Sequence, residues 1–306
     1  MKMSIRVETV QTNGFSMDFF RFGRGKSPLV ILPGLSVDSV MKYADAVAEA
    51  YALLTDDFTL YVFDRRKELP PVYSVCDMAE DTAAAFRALG LPPVCLFGAS
   101  QGGMIAMVIA AGYPDLVSRL VLGSTSARLE PEQSQTVENW IRLAKAGDAK
   151  GLYLAFGEAI YPPAVFEKSR DLLTAAAKSV TEKDLQRFVI LAESIRGFDV
   201  QDQLRKISCP VLVLGSEDDA VLGSESSKRI ADLLKDHTPC ESYLYRGYGH
   251  AAYDLAPDYK ERLRSFLAEG GLGAFAPPLP VADEGGTNVD QRKAPQYPTE
   301  GNYFER

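Results

Sequence analysis

Short apolar runs that stop at glycine or proline recur along this chain, and most lead into a segment with helical spacing. Residues 28–32 stop at Pro33-Gly34, and 40–54 then show helical periodicity. Residues 59–63 run into Asp64-Arg65-Arg66, and an Ala-rich helix over 78–89 ends at Gly90. Residues 94–97 are an apolar strand, followed by a helix over 102–113 that stops at Pro114. Residues 120–122 form the core of another strand, ending at Gly123-Ser124-Thr125. Two earlier strands, 4–10 and 15–22, are split by Thr12-Asn13-Gly14. Strands alternating with helices predict an α/β fold, with a mostly parallel central sheet flanked by helices on both faces.

The rhythm breaks between residues 127 and 205, where the pattern is mostly helical and punctuated by Glu130-Pro131 and Tyr161-Pro162-Pro163. This segment is expected to be a helical insertion. It resumes strand character at 210–214, then a helix over 224–234, a last strand over 241–245, and a final helix whose Tyr259, Leu263, Phe266 and Leu267 share one face. The division predicted is a core of residues 1–126 and 206–270, a helical cap over 127–205, and a Pro-, Gly- and polar-rich tail over 271–306 that should be poorly ordered.

The strand at 94–97 and the helix at 102–113 are joined by Gly98-Ala99-Ser100-Gln101-Gly102-Gly103, a G-x-S-x-G pattern in the strand–turn–helix context that pattern requires. A strand turning directly into a helix strains its central residue, and glycines on either side let the backbones approach. Ser100 is then lifted above the sheet at a helix N-terminus, where negative charge is favoured. Gly25-Lys26-Ser27 resembles the end of a phosphate-binding loop, but the first glycine of that motif would fall on Phe20 and the segment precedes a strand, so it is set aside.

A serine hydroxyl needs a base and a group that orients the base. The chain of 306 residues has two histidines. His250, in Gly247-Tyr248-Gly249-His250, follows the last predicted strand and falls on the carboxyl edge of the sheet, with Ser100. His237 lies at the other end of that strand and reads as a solvated loop residue. The orienting acid should also sit on that edge, and Glu217-Asp218-Asp219 follows the strand at 211–214. Asp218 is favoured, Asp219 is next and Glu217 last.

Composition narrows the function further. The formal charge of −8 and the lack of a basic run argue against nucleic acid or an anionic membrane surface as partner. No run approaches a membrane span, and the N-terminus lacks the apolar core of a signal peptide. Cys76, Cys95, Cys209 and Cys240 form no C-x-x-C pair, and with two separated histidines no metal site or other cofactor is expected. A soluble, cytoplasmic protein is the expectation; oligomeric state is left open.

The chain order Ser100, acid, His250 resembles that of the α/β-hydrolase family, over nearly all of residues 29–268, and is similar to its cap-bearing branch of esterases, small-acylglycerol lipases and C–C bond hydrolases. The resemblance implies a Ser100–His250–Asp218 triad, since the family acid commonly follows a Gly-x-x-Asp turn, here Gly215-x-x-Asp218. It also implies an oxyanion hole from the backbone N–H groups of Gln101 and of Leu35, in the loop Leu32-Pro33-Gly34-Leu35. Many relatives carry His-Gly where this chain has Pro33-Gly34, and proline need not donate. Relatives that cleave carbon–halogen bonds or epoxides use aspartate at the elbow, so Ser100 favours acyl transfer. The expected activity is hydrolysis of a small-to-medium carboxylic ester through an acyl-enzyme. Alternatives are a C–C bond hydrolase or lyase using the same triad, and a non-catalytic ligand receptor. Trp140, Phe156, Tyr161, Phe166 and Phe188 are candidates for a substrate pocket beneath the cap, although aromatics in helices more often pack their own core.

Overall fold

The computed structural model describes residues 4–268; the predicted tail lies outside the described residues. Among the described residues eight strands form one sheet: β1 (Val7–Gln11), β2 (Ser16–Gly23), β3 (Ser27–Leu32), β4 (Phe58–Arg66), β5 (Val94–Ala99), β6 (Val117–Gly123), β7 (Val211–Ser216) and β8 (Cys240–Tyr245). Their spatial order is β1-β2-β4-β3-β5-β6-β7-β8. β2 pairs antiparallel with β1 and β4, and every pairing from β4 to β8 is parallel.

Helices α1 (Ala44–Ala50), α2 (Val75–Ala88) and α3 (Gln101–Gly112) lie in the first half of the chain. Between β6 and β7 come α4 (Pro131–Lys145), α5 (Ala149–Ile160), α6 (Pro163–Ala176) and α7 (Glu182–Glu193). After β7 come α8 (Ser224–Leu234), α9 (Ala252–Leu255) and α10 (Tyr259–Leu267). Alternation along the parallel strands divides the core. Val30, Leu96, Leu120 and Val213 face one layer with Met78 and Phe86 of α2, Ile105 and Ile109 of α3, and Ile230 of α8. Leu29, Phe97, Val121 and Leu212 face the other, with Val47 of α1 and Tyr259, Leu263 and Phe266 of α10. Each such side chain, fully buried, contributes about 1.5–3 kcal/mol.

Two elements depart from the sequence pattern. The helix expected over 40–54 is broken into a 3₁₀ turn (Val40–Tyr43), α1 and a second 3₁₀ turn (Ala52–Leu54). Its buried positions, Ala44, Val47, Tyr51 and Leu54, keep a three-to-four-residue spacing that serves both helix types. β4 runs past its apolar stretch through Asp64-Arg65-Arg66, where Arg66 pairs with Met17 of β2. Asp64 and Arg65 are buried there, held by polar partners instead of solvent.

Register fixes the position of the site. Leu32 pairs with Gly98, Ala99 with Gly123, Gly123 with Leu214, and Ser216 with Tyr245. The residues that follow β3, β5, β7 and β8 therefore emerge at one edge: Gly34 and Leu35, Ser100, Asp218 and Asp219, and His250.

Candidate active site

Ser100 takes φ 52° and ψ −122°, a region that L-residues rarely occupy and that costs on the order of 1–3 kcal/mol. The surroundings over-determine it. The Ser100 amide donates to Gly123 O at 2.8 Å, and Thr125 Oγ1 donates to Ser100 O at 2.7 Å. A Cβ on Gly98 would lie 2.3 Å from Gly102 O, and one on Gly102 would lie 2.0 Å from Leu32 O. The elbow glycines are thus required by close backbone approach between β5, α3 and β3.

His250 is 2% exposed and Asp219 8% exposed, and His250 Nδ1 lies 2.9 Å from Asp219 Oδ2. Burial alone would raise the Asp219 pKa. The charge and hydrogen bond of His250, with the amides of Leu222 and Val221 on Oδ1, outweigh burial and hold it below the usual carboxylate range. An ionised carboxylate only accepts, so Nδ1 carries the proton and donates. Nε2 is thereby the ring nitrogen that carries the lone pair whenever the imidazole is neutral, the form a general base needs.

The acid favoured from the sequence, Asp218, does not meet the imidazole. Its Oδ1 accepts from Ser216 Oγ (2.8 Å) and the Gly247 amide (3.1 Å), and its Oδ2 accepts from the Gly249 amide (3.0 Å). These bonds hold its pKa down against the opposing effect of burial. Asp218 thereby pins the loop that carries His250, while its neighbour turns inward. Glu217 accepts from Arg246 at the surface. Three consecutive carboxylates thus have three separate partners, and a one-residue difference in direction is set by loop amides that spacing does not reveal. His237 is exposed, and its imidazole Nε2 lies 3.2 Å from the Leu204 carbonyl oxygen, at the opposite end of β8 from this edge.

Ser100 and His250 border one cavity of about 20 Å³, lined also by Gly34, Leu35, Met104, Trp140 and Phe156. Trp140 of α4 and Phe156 of α5 pack with ring centroids 4.5 Å apart. Of the other aromatics singled out, Phe188 packs edge-on behind Phe156, Phe166 closes on Gly157, and Tyr161 caps the end of α5; none of the three borders the cavity. Val137, Ile160, Ile195, Val221, Leu222 and Tyr253 do border it and were not singled out. Val137 could have been found, since it lies one turn before Trp140 on α4. Val221 and Leu222 could have been found because they follow the acid directly.

Of the two residues expected from the sequence to form an oxyanion hole, Leu35 borders the same cavity as Ser100, and Gln101 follows Ser100 directly in the chain. Among the described residues, neither backbone N–H donates to a protein acceptor. The Gln101 side chain is occupied: Nε2 donates to Leu191 O (2.6 Å) and Ser194 Oγ (3.1 Å), joining the elbow to the end of α7. Two further polar ties connect the sheet edge to the inserted helices. Tyr153 OH donates to Asp38 Oδ2 at 2.7 Å, and Arg187 pairs with Asp64.

A family model described as the alpha/beta hydrolase fold matches residues 27–257. This chain belongs to that family. A protein of Caulobacter vibrioides provisionally named carbamate hydrolase RutD is 26% identical over 222 residues, 70% of this chain and 82% of that protein. The pyrrolizixenacetamide deacetylase of Xenorhabdus hominickii is 27% identical over 256 residues, 79% of this chain and 92% of its own. The solved structure of MGS-M2, an alpha/beta hydrolase enzyme from a Medee basin deep-sea metagenome library, superposes with a TM-score of 0.73 at 22% identity, covering 90% of this chain and 100% of that one. Among the described residues no helix is long and apolar enough to cross a membrane.

Proposed function

We propose that this hydrolase is a serine hydrolase that cleaves a small carboxylic ester through an acyl-enzyme. The observation that carries the reading is the buried His250–Asp219 pair, which borders with its imidazole the same cavity as the strained Ser100. Ser100 Oγ attacks the substrate carbonyl as His250 Nε2 takes its proton. Asp219 keeps the imidazole tautomer and balances the imidazolium. The Leu35 and Gln101 amides receive the tetrahedral oxyanion. His250 then protonates the leaving group, and a water activated by the same base releases the acid.

Substrate size follows from the lining. The cavity has room for about one or two water-sized groups, and its walls beyond Ser100 and His250 are mainly aliphatic and aromatic. This favours a short, uncharged acyl group held beneath α4 and α5, acting as a cap. The names of the two relatives widen the leaving group: one is called a carbamate hydrolase and the other a deacetylase. Carbamates and acetamides are therefore the second substrate class to weigh.

The test is turnover of p-nitrophenyl esters from two to twelve acyl carbons, beside an aryl carbamate and an acetanilide, with Ser100→Ala as blank. Short esters are expected to be cleaved fastest, and the blank to be inactive. Equal turnover by the blank would refute the assignment of Ser100.

A further inference from the structure

The end of β4 places a buried cation between the two segments that carry the proposed oxyanion donors. Arg65 is 5% exposed. Its Nη2 donates to Pro33 O at 2.9 Å and to Gln101 Oε1 at 3.0 Å. Pro33 lies two residues before Leu35, and Gln101 is itself the second donor. One guanidinium thus grips both halves of the oxyanion hole, and through Gln101 it reaches Leu191 and Ser194 beside α7.

The neighbouring carboxylate does not neutralise this guanidinium by direct pairing. Asp64 Oδ1 accepts the Arg65 backbone amide at 2.7 Å and the side chain of Arg187, and Asp64 Oδ2 accepts Ser39 Oγ. Among the described residues, Arg65 Nε is buried with no hydrogen-bond partner, as is Arg187 Nη1. Two guanidinium groups and one carboxylate leave an excess positive charge behind the oxyanion loop. Burial lowers the Arg65 pKa to about 10, the Asp64 charge opposing it, so the cation persists at neutral pH. An uncompensated buried cation is costly to a fold. Held behind the Pro33–Leu35 loop and Gln101, its positive potential favours negative charge that develops beside them only in the transition state.

We propose that Arg65 is the positioning residue of the oxyanion hole: it sets the Pro33–Leu35 loop and Gln101 in register and supplies a fixed positive potential to the tetrahedral intermediate. The inference rests on the Ser100 acyl-enzyme reading. The experiment compares Arg65→Met, Arg65→Lys and Gln101→Met with the unaltered chain on a short p-nitrophenyl ester. Each sample is corrected for folded sites by fluorophosphonate titration, and each is tested with a trifluoromethyl ketone, whose hemiketal oxygen mimics the oxyanion.

Arg65→Met is expected to lower kcat about 10²-fold with KM changed less than about 3-fold, and to weaken the ketone by a similar factor. Arg65→Lys, which keeps the charge and one bond, should recover about a tenth of the unaltered kcat. Gln101→Met, which removes one Arg65 acceptor and leaves the charge, should lose about 10-fold in kcat and in ketone affinity, and it supplies the reading if Arg65→Met does not fold. Unchanged kcat and ketone affinity per titrated site in the folded variants would overturn the proposal. With Ser100→Ala inactive, that result would remove the Arg65 role alone. An active Ser100→Ala would remove the reading beneath it.

Discussion

His250 Nδ1 meets Asp219 Oδ2 at 2.9 Å, while Asp218, one residue earlier, faces the Gly247 and Gly249 amides of the loop that carries His250. The two adjacent carboxylates divide the work between orienting the imidazole and shaping the loop that presents it. Asp219→Asn is expected to lower kcat by about 10⁴-fold with the fold intact, because an amide stabilises the wrong tautomer. Asp218→Asn keeps an acceptor oxygen and should cost less than about 10-fold. Steady-state kinetics on one short ester decides between them; a larger loss for Asp218→Asn would reverse the assignment.

The glycines at the two ends of α3 differ sharply in what a side chain would meet. A Cβ on Gly102 would sit 2.0 Å from Leu32 O, whereas one on Gly112, at the other end of α3, meets nothing within 4 Å. Gly102→Ala should destabilise the chain by more than about 3 kcal/mol or prevent folding. Gly112→Ala should be neutral or stabilising by up to about 1 kcal/mol, as helical alanine replaces glycine. Urea unfolding of the two variants measures both.

Trp140 and Phe156 close the cavity over Ser100. Trp140→Ala is expected to move the preferred acyl chain of p-nitrophenyl esters upward by several carbons. It should also lower stability by about 3–5 kcal/mol, since a large buried ring is removed. A chain-length profile unchanged by the substitution would place the acyl group elsewhere.

Asp254, four residues after His250, has its pKa raised to about 6 by burial, with Lys260 and His250 opposing. Tyr51, Tyr161, Tyr253 and Tyr259 surround it and are themselves raised by burial. A folded pKa above the unfolded value means that the group is tolerated best when protonated. Its stabilising contribution is full below about pH 4 and is lost as pH rises through about 6. Asp254→Asn should therefore raise Tm by a few degrees at pH 8, the upper limit being about 3 kcal/mol. The gain should vanish near pH 4. A Tm difference independent of pH would contradict this.

Much of the fold is legible in the sequence because parallel strands buried on both faces read as unbroken apolar runs, as at Leu96-Phe97 and Val211-Leu212-Val213-Leu214. Ser100 and His250 are legible for a different reason: one sits in a motif whose glycines are sterically required, and the other is one of only two imidazoles. The choice among Glu217, Asp218 and Asp219 is not legible, because it depends on which loop amides each carboxylate meets. Arg65 is hidden as well. A charged triplet after an apolar run reads as solvated, yet here it continues β4 into the interior and bonds Pro33 and Gln101 across the sheet edge. Phe166 and Phe188 were candidates by type alone, and packing within the inserted helices takes them away from Ser100.

The central claim is that Ser100 is the nucleophile made reactive by His250. It is tested most directly by incubating the full chain with a fluorophosphonate and locating the adduct by peptide mass spectrometry. One adduct per chain is expected on the peptide containing Ser100, absent in Ser100→Ala and formed at least about 10³-fold more slowly in His250→Ala. Labelling of another residue, or equally fast labelling of His250→Ala, would contradict the account.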